Sequence, residues 1–231
     1  MNISDTTSLN NNIPRKSKRI MIFDTETTGL IPKNKTNITD FPYITQLSYV
    51  IYNVETNQIE NIYNNYINIP QHIIISELIT NLTGLTRDLC DAKGKNITDV
   101  LINFYNAYIQ CDYVVAHNWE FDSKILFTEY MRNDNEIQQR IPNVYKIFTS
   151  DVDKVLGVRH YCTMKTGQMI YRLKQYPKLS ELHQKLFKTI PENMHNSLID
   201  TLVCLRCFLV MEHNITITDE EFNILLQPQN E

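Results

Sequence analysis

The chain has 231 residues, a net charge of −4, and 42% apolar and 21% charged residues, enough for one α/β domain with a buried core and too few for two. No apolar run is long enough to cross a bilayer, and the polar stretch 1–14 lacks the apolar segment of a secretory signal, so the reading is of an intracellular protein, cytoplasmic or nuclear, neither secreted nor membrane-bound. The acidic balance argues against a protein that only coats nucleic acid, and leaves open an enzyme whose site needs carboxylates to hold cations.

Residues 1–18 read as a polar tail without periodicity. Arg15, Lys16, Lys18 and Arg19 form a basic lead into the first strand, with a nuclear address as the alternative. Ile20-Met21-Ile22-Phe23 is an apolar run ending at Asp24, which predicts a buried strand. Tyr43 to Asn53 and Gln58 to Ile69, rich in Ile, Val and Tyr, predict a hairpin around Val54–Asn57. Helical spacing covers Ile97 to Ile109, a second buried strand Tyr113 to Ala116, and a helix Phe121 to Met131. Tyr161 marks a further short strand. Lys178 to Phe187 and Asn196 to His213 have apolar residues at three- and four-residue intervals and predict helices. Residues 132–160 carry the weakest pattern.

This order predicts a mixed sheet flanked by helices over 19–213, followed by a tail at 214–231. The Asn-X-Thr triplets at Asn37, Asn81, Asn96 and Asn214 follow from an Asn- and Ile-rich composition rather than marking glycans. Five glycines leave no Gly-rich phosphate loop, which argues against a P-loop or dinucleotide site. The five cysteines are scattered and read as free thiols, with Cys204 and Cys207 as buried helix-face thiols rather than a metal or redox pair.

Three segments carry candidate chemistry. In Asp24-Thr25-Glu26, alternate strand residues share a face, so two carboxylates project together from a strand end. They repel each other unless a cation sits between them, and hard oxygen ligands suit Mg²⁺ or Mn²⁺. A solvated strand end is the plainer account of that pair alone. Thr27-Thr28-Gly29-Leu30 follows, where glycine lets a ligand approach the backbone and Leu30 can pack on a base. In His117-Asn118-Trp119-Glu120-Phe121-Asp122 a strand end turns into a helix. Asp122 falls in the first turn, where a carboxylate also suits the helix dipole. His117 and Asn118 suit phosphate contacts or structural hydrogen bonds about equally. In His195 to Asp200, the carboxylate lies beside an apolar helix face and needs pairing or a cation. His195 precedes the helix, where an imidazole can accept a proton from an attacking water.

Taken jointly and in this order, these segments resemble the DEDDh (DnaQ-like) 3′-to-5′ exonucleases of the ribonuclease H-like superfamily. Asp24 to Gly29 matches the first motif, Asp-x-Glu-Thr-Thr-Gly. Ala116 to Asp122 matches Ala-His-Asn-x-x-Phe-Asp. His195 to Asp200 matches His-x-Ala-x-x-Asp, with Ser197 in place of Ala, a swap expected to leave the chemistry alone. Leu82 to Thr86 looks like the family's His-Gly-Ile-Thr segment with Thr83 for the His, and Pro177 to Leu182 is similar to the proofreading branch.

The resemblance implies a ribonuclease H-like α/β fold with a five-stranded mixed sheet. It implies two divalent cations, Mg²⁺ or Mn²⁺, held by Asp24, Glu26, Asp122 and Asp200, with Asp24 shared, and His195 as general base. Thr27, Thr28, Gly29, Leu30, His117, Asn118 and Phe121 would contact substrate. Lys165, Lys174 and Lys178 could follow an incoming strand or be plainly solvated. The implied substrate is DNA, frayed or single-stranded, cut from the 3′ end to nucleoside 5′-monophosphates. RNA trimming is the alternative within enzymes, and a non-catalytic polymerase-associated subunit the alternative outside them. A polymerase partner or a homodimer is the implied protein association.

Overall fold

The central run Ile20–Phe23 is apolar on both sides because its strand is covered on both sides. In the computed structural model, which describes residues 18–34, 37–141 and 146–227, β1 (Arg19–Thr27) pairs antiparallel with β2 (Ile44–Asn53) and parallel with β4 (Tyr113–Ala116). β2 continues antiparallel to β3 (Gln58–Tyr66), and β4 pairs parallel with β5 (Arg159–Cys162). The order β3-β2-β1-β4-β5 is the expected mixed five-stranded sheet. The expected tail 1–18 falls, except for Lys18, outside the described residues. Lys18 and Arg19, expected as a solvated lead, pair with Glu55 and Glu60.

Alternate residues of β1 feed two cores. Met21 and Phe23 join α3 (Ile97–Tyr108), α4 (Trp119–Arg132) and α5 (Asp134–Arg140) on one face. Ile20 and Ile22 join α8 (Leu179–Phe187) and α9 (Ser197–Phe208) on the other. The remaining helices are short: α1 (Glu77–Thr83), α2 (Arg87–Lys93), α6 (Ser150–Leu156) and α7 (Thr163–Tyr171). Asn96 and Asn37, first residues of two Asn-X-Thr triplets, cap α3 and a 3₁₀ turn (Ile38–Asp40), and Asn214 supplies the left-handed residue after α9's π-helical extension (Leu209–His213). All five cysteines are free, as expected, with Cys204 and Cys207 buried. No helix among the described residues is long and apolar enough to cross a membrane.

The stretch expected as a C-terminal tail is part of the domain. It carries α10 (Asp219–Leu225), begun by a Thr218–Glu221 capping box, and buries Ile217 and Phe222 in the second core. Arg206 explains the docking. Its buried guanidinium donates to the Ile217 carbonyl (3.0 Å) and to Asp219 (2.6 Å), and lies over the rings of Phe187 and Phe222.

Candidate active site

Parallel pairing of β1 and β4 sets Ile22 opposite Val115, so Asp24 and the turn after Ala116 emerge together at the C-terminal ends of these two strands. From β1, Thr25 points toward α4. Its N–H and hydroxyl both donate to Asp122 Oδ1, at 3.2 and 2.8 Å, which fastens the first turn of α4 to the strand end. Asp24 and Glu26 point the other way, toward α9. The buried Ser197 donates its hydroxyl to the Asp24 carbonyl (2.6 Å) and its N–H to Gln46 Oε1 (3.3 Å). Asp200 stands one turn further along α9. The serine at a position expected to be indifferent is thus the joint between α9 and the first motif. Its role depends on a tertiary partner far away in sequence.

His195 is exposed and adopts φ 69°, a left-handed conformation that costs a non-glycine residue about 1–3 kcal/mol. Its N–H donates to Asp200 Oδ2 at 3.1 Å. Ligand atoms of Glu26, His195 and Asp200 lie within 4.8 Å of one another. Three separated segments of the chain therefore meet here, and Asp24 and Asp122 lie within electrostatic reach of this group.

Their mutual electrostatics are unfavourable. Burial, then the charges of Asp122, Asp200 and Glu26, raise the Asp24 carboxyl well above its ordinary range. Burial followed by Asp200 and Asp122 pushes Glu26 to about 8. Burial raises Asp122 to about 7 against the opposing hydrogen bonds from Thr25, and raises Asp200 to about 7. None of the four is in an ion pair among the described residues. Asp200 Oδ1 is buried without a hydrogen-bond partner. An orphaned carboxylate oxygen within a cluster of hard oxygen donors and one imidazole fits a divalent cation.

The turn after β1 is shaped from within. Thr27 donates its hydroxyl to the Gly29 carbonyl (2.6 Å), and Thr28 accepts the Tyr43 N–H at its own hydroxyl (3.0 Å). Open space surrounds Gly29, Leu30 is 83% exposed, and Asn118 is exposed at the start of α4. These three are open to solvent. Two other expected contacts are engaged within the protein. His117 is spent on the fold: Nδ1 meets Thr163 Oγ1 at 2.9 Å and Nε2 meets the Pro177 carbonyl at 3.0 Å. Burial lowers its pKa to about 4, so it is a neutral strut rather than a phosphate-binding cation. Phe121 packs against the first core.

Arg132 escaped the sequence reading. At the end of α4 it donates to the carbonyls of Ile38 (2.7 Å), Phe41 (2.6 Å) and Pro42 (2.9 Å), and to Glu129 (2.8 Å). Glu129 accepts the Ile44 N–H at 3.3 Å. Tyr43, the residue between those anchors, holds Thr28. One helix thus presents Asp122 at its start and braces the first-motif turn from its end. Arg132→Lys keeps the charge but cannot span three carbonyls. It should cost about 1–2 kcal/mol in urea unfolding. An unchanged midpoint would mean that the brace contributes nothing.

The sequence matches the model of the exonuclease family RNase T over residues 21–208, most of the chain. The chain belongs to this exonuclease family. No curated protein matches the sequence. Among solved structures, the exonuclease fold is similar to E. coli exonuclease I in complex with a dA16 oligonucleotide, with TM-score 0.65 and 15% identity over 90% of this chain and 42% of that one. This exonuclease domain therefore spans about two fifths of exonuclease I. It is also similar to the nuclease domain of 3′hExo, a DEDDh family member bound to rAMP (TM-score 0.59, 18% identity, 86% of this chain and 93% of that one). A 3′-exonuclease recognising the histone mRNA stem-loop gives TM-score 0.62 and 17% identity over 87% and 84% of the two chains. At such identities these likenesses speak for the shared ribonuclease H-like fold.

Proposed function

We propose that this chain is a metal-dependent 3′-to-5′ exonuclease that hydrolyses the terminal phosphodiester of DNA and releases nucleoside 5′-monophosphates. The observation that carries this reading is the convergence of Glu26, His195 and Asp200 within 4.8 Å, beside the half-buried Asp24 and the buried Asp122. Asp24, Glu26, Asp122 and Asp200 would hold two divalent cations, Mg²⁺ or Mn²⁺. Bound there, such cations neutralise the scissile phosphate and make an attacking water easier to deprotonate.

The chain's own groups account for the rest. His195 accepts the proton of the attacking water at its imidazole. The water oxygen bonds to phosphorus, the bond to the 3′-oxygen of the shortened strand breaks, and that oxygen takes a proton from solvent. The Asp200 carboxylate holds the backbone of His195 through the N–H bond. Among the described residues, no hydrogen-bond partner meets the N–H groups of Gly29 and Leu30, which suits them to receive the terminal nucleotide, with Leu30 against its base.

A second reading, RNA as substrate, draws support from the two neighbours of comparable length, one bound to rAMP and one described with a histone mRNA stem-loop. Matched DNA and RNA single strands, labelled at the 5′ end and incubated with Mg²⁺ or Mn²⁺, test both. A descending ladder that starts from the 3′ end is expected, faster on DNA. Faster RNA shortening would move the substrate assignment. Release of label as mononucleotide in the first cycle would reverse the polarity. No cleavage of either strand would favour a non-catalytic subunit.

A further inference from the structure

The chain is acidic overall, yet from 154 to 180 it contains Lys154, Arg159, Lys165, Arg172, Lys174 and Lys178 and no Asp or Glu. The second half of this segment is fastened to the catalytic end of the sheet. A carbonyl oxygen can only accept, so His117 Nε2–H donates to Pro177 and Nδ1 accepts from the Thr163 hydroxyl. That neutral imidazole ties both ends of the α7 hairpin to the end of β4. Tyr176, directly before the tied proline, is 55% exposed. Lys174 and Lys178 are exposed on either side of it. Lys165, at the start of α7, pairs with Glu120 in the first turn of α4, two positions before Asp122, and lies within electrostatic reach of the Tyr176 phenol. A phenol ring flanked by lysines, beside the carboxylate cluster, has the composition of a single-strand platform: cations for phosphates and an aromatic face for a base.

We propose that α7 and the following loop, with Lys165, Lys174, Lys178 and Tyr176, form the track for the single strand behind its 3′-terminal nucleotide, and that His117 is the positioning residue that locks the track to the active site. The inference rests on the exonuclease reading and deepens it by naming where the polymer lies. Glu120 has a defined place in it. It holds Lys165 when the track is empty, and a phosphate exchanges for it on binding.

Binding without turnover tests this. Full-length protein in EDTA at low salt is titrated into a 5′-fluorescein oligothymidylate of about twelve nucleotides, within the span such sites cover, and anisotropy is read over a salt series. Lys165→Gln and Lys174→Gln should each weaken binding several-fold and flatten the slope of log affinity against log salt by about 0.7. Tyr176→Ala should weaken binding about tenfold with the slope unchanged, because stacking releases no counterion. Tyr176→Phe should restore it. Glu120→Gln should tighten binding, a sign that a merely structural role would not produce. Lys18→Gln removes the same charge at the far end of β1 and should leave both affinity and slope alone. Equal losses in Lys18→Gln, weaker binding in Glu120→Gln, or no binding by the unmodified chain would overturn the track. Binding that follows the expected pattern in a protein that cleaves nothing would overturn the exonuclease reading and leave the track standing.

Discussion

Asp24→Asn should abolish nuclease activity while making the metal-free protein more stable. Asp24 lies at the focus of the cluster, with Asp122, Asp200 and Glu26 each raising its proton affinity on top of burial. An amide of the same shape keeps the Ser197 bond to the backbone carbonyl, and its Oδ1 can still accept from the same hydroxyl. It removes one of four repelling charges. The fold therefore loses a cost and the site loses the ligand assigned to both cations. Turnover of a single-stranded substrate should fall on the order of 10³-fold or more. In EDTA at pH 8 the melting temperature should rise by about 3–6 °C, what relief of one to two kcal/mol gives in a domain of this size. The opposed signs make the result informative. A loss of activity accompanied by a lower melting temperature would mean general damage, and activity within tenfold of the unmodified chain would remove Asp24 from the centre of the chemistry.

Such a trade between stability and function is why the carboxylates were legible in the sequence at all. Carboxylates at the end of an apolar strand, and another beside an apolar helix face, are costly unless something else demands them, and the structure leaves the four within electrostatic reach of one another. The central strands were legible for a related reason: β1 and β4 are covered on both faces, so Ile20–Phe23 and Tyr113–Ala116 read as continuous apolar runs, whereas the edge strand β5 offered only Tyr161.

What was not legible depended on length or on distant partners. Helices α1, α2 and α10 span seven residues each, too short for a helical period to stand out, and two of them are announced only by the caps Ser76 and Thr86. Asn196 to His213 read as one helix because its apolar pattern continues across Phe208, where the hydrogen bonding changes to the π-helical turn. Sequence leaves His117 between a phosphate contact and a structural hydrogen bond because its partners, Thr163 and Pro177, lie far along the chain and carry no mark in sequence. Ser197 looked interchangeable with alanine for the same reason, and the three carbonyls that occupy Arg132 are backbone groups that no side-chain pattern reveals.

The carboxylate cluster also sets a pH dependence that a divalent cation should reverse. In the unfolded chain, carboxyls lose their protons near pH 4. In the folded chain, Asp122 and Asp200 hold theirs to about 7 and Glu26 to about 8, with Asp24 raised as well. Where the folded state binds more protons than the unfolded one, stability falls as pH rises, so the cost accumulates from about pH 4 and, for Asp122, Asp200 and Glu26, is complete above about pH 8. His117 acts with the opposite sign at the acid end. Its folded pKa of about 4 lies below that of a free imidazole, so its contribution improves with rising pH until the unfolded chain's histidine has also lost its proton, near pH 6.5. The carboxylates are therefore isolated between about pH 6.5 and pH 8.5, where the metal-free melting temperature should drop by about 5 °C. Asp200→Asn should flatten this decline. Mg²⁺ or Mn²⁺ binds only the folded, deprotonated cluster, so its stabilisation should be larger at pH 8.5 than at pH 6.5, reaching about 2.7 kcal/mol at a hundredfold excess over Kd. A melting temperature that rises with pH in EDTA, or a cation effect that is equal at both ends of the window, would mean that these four side chains do not share charge in the folded protein, and the assignment of the site would go with them.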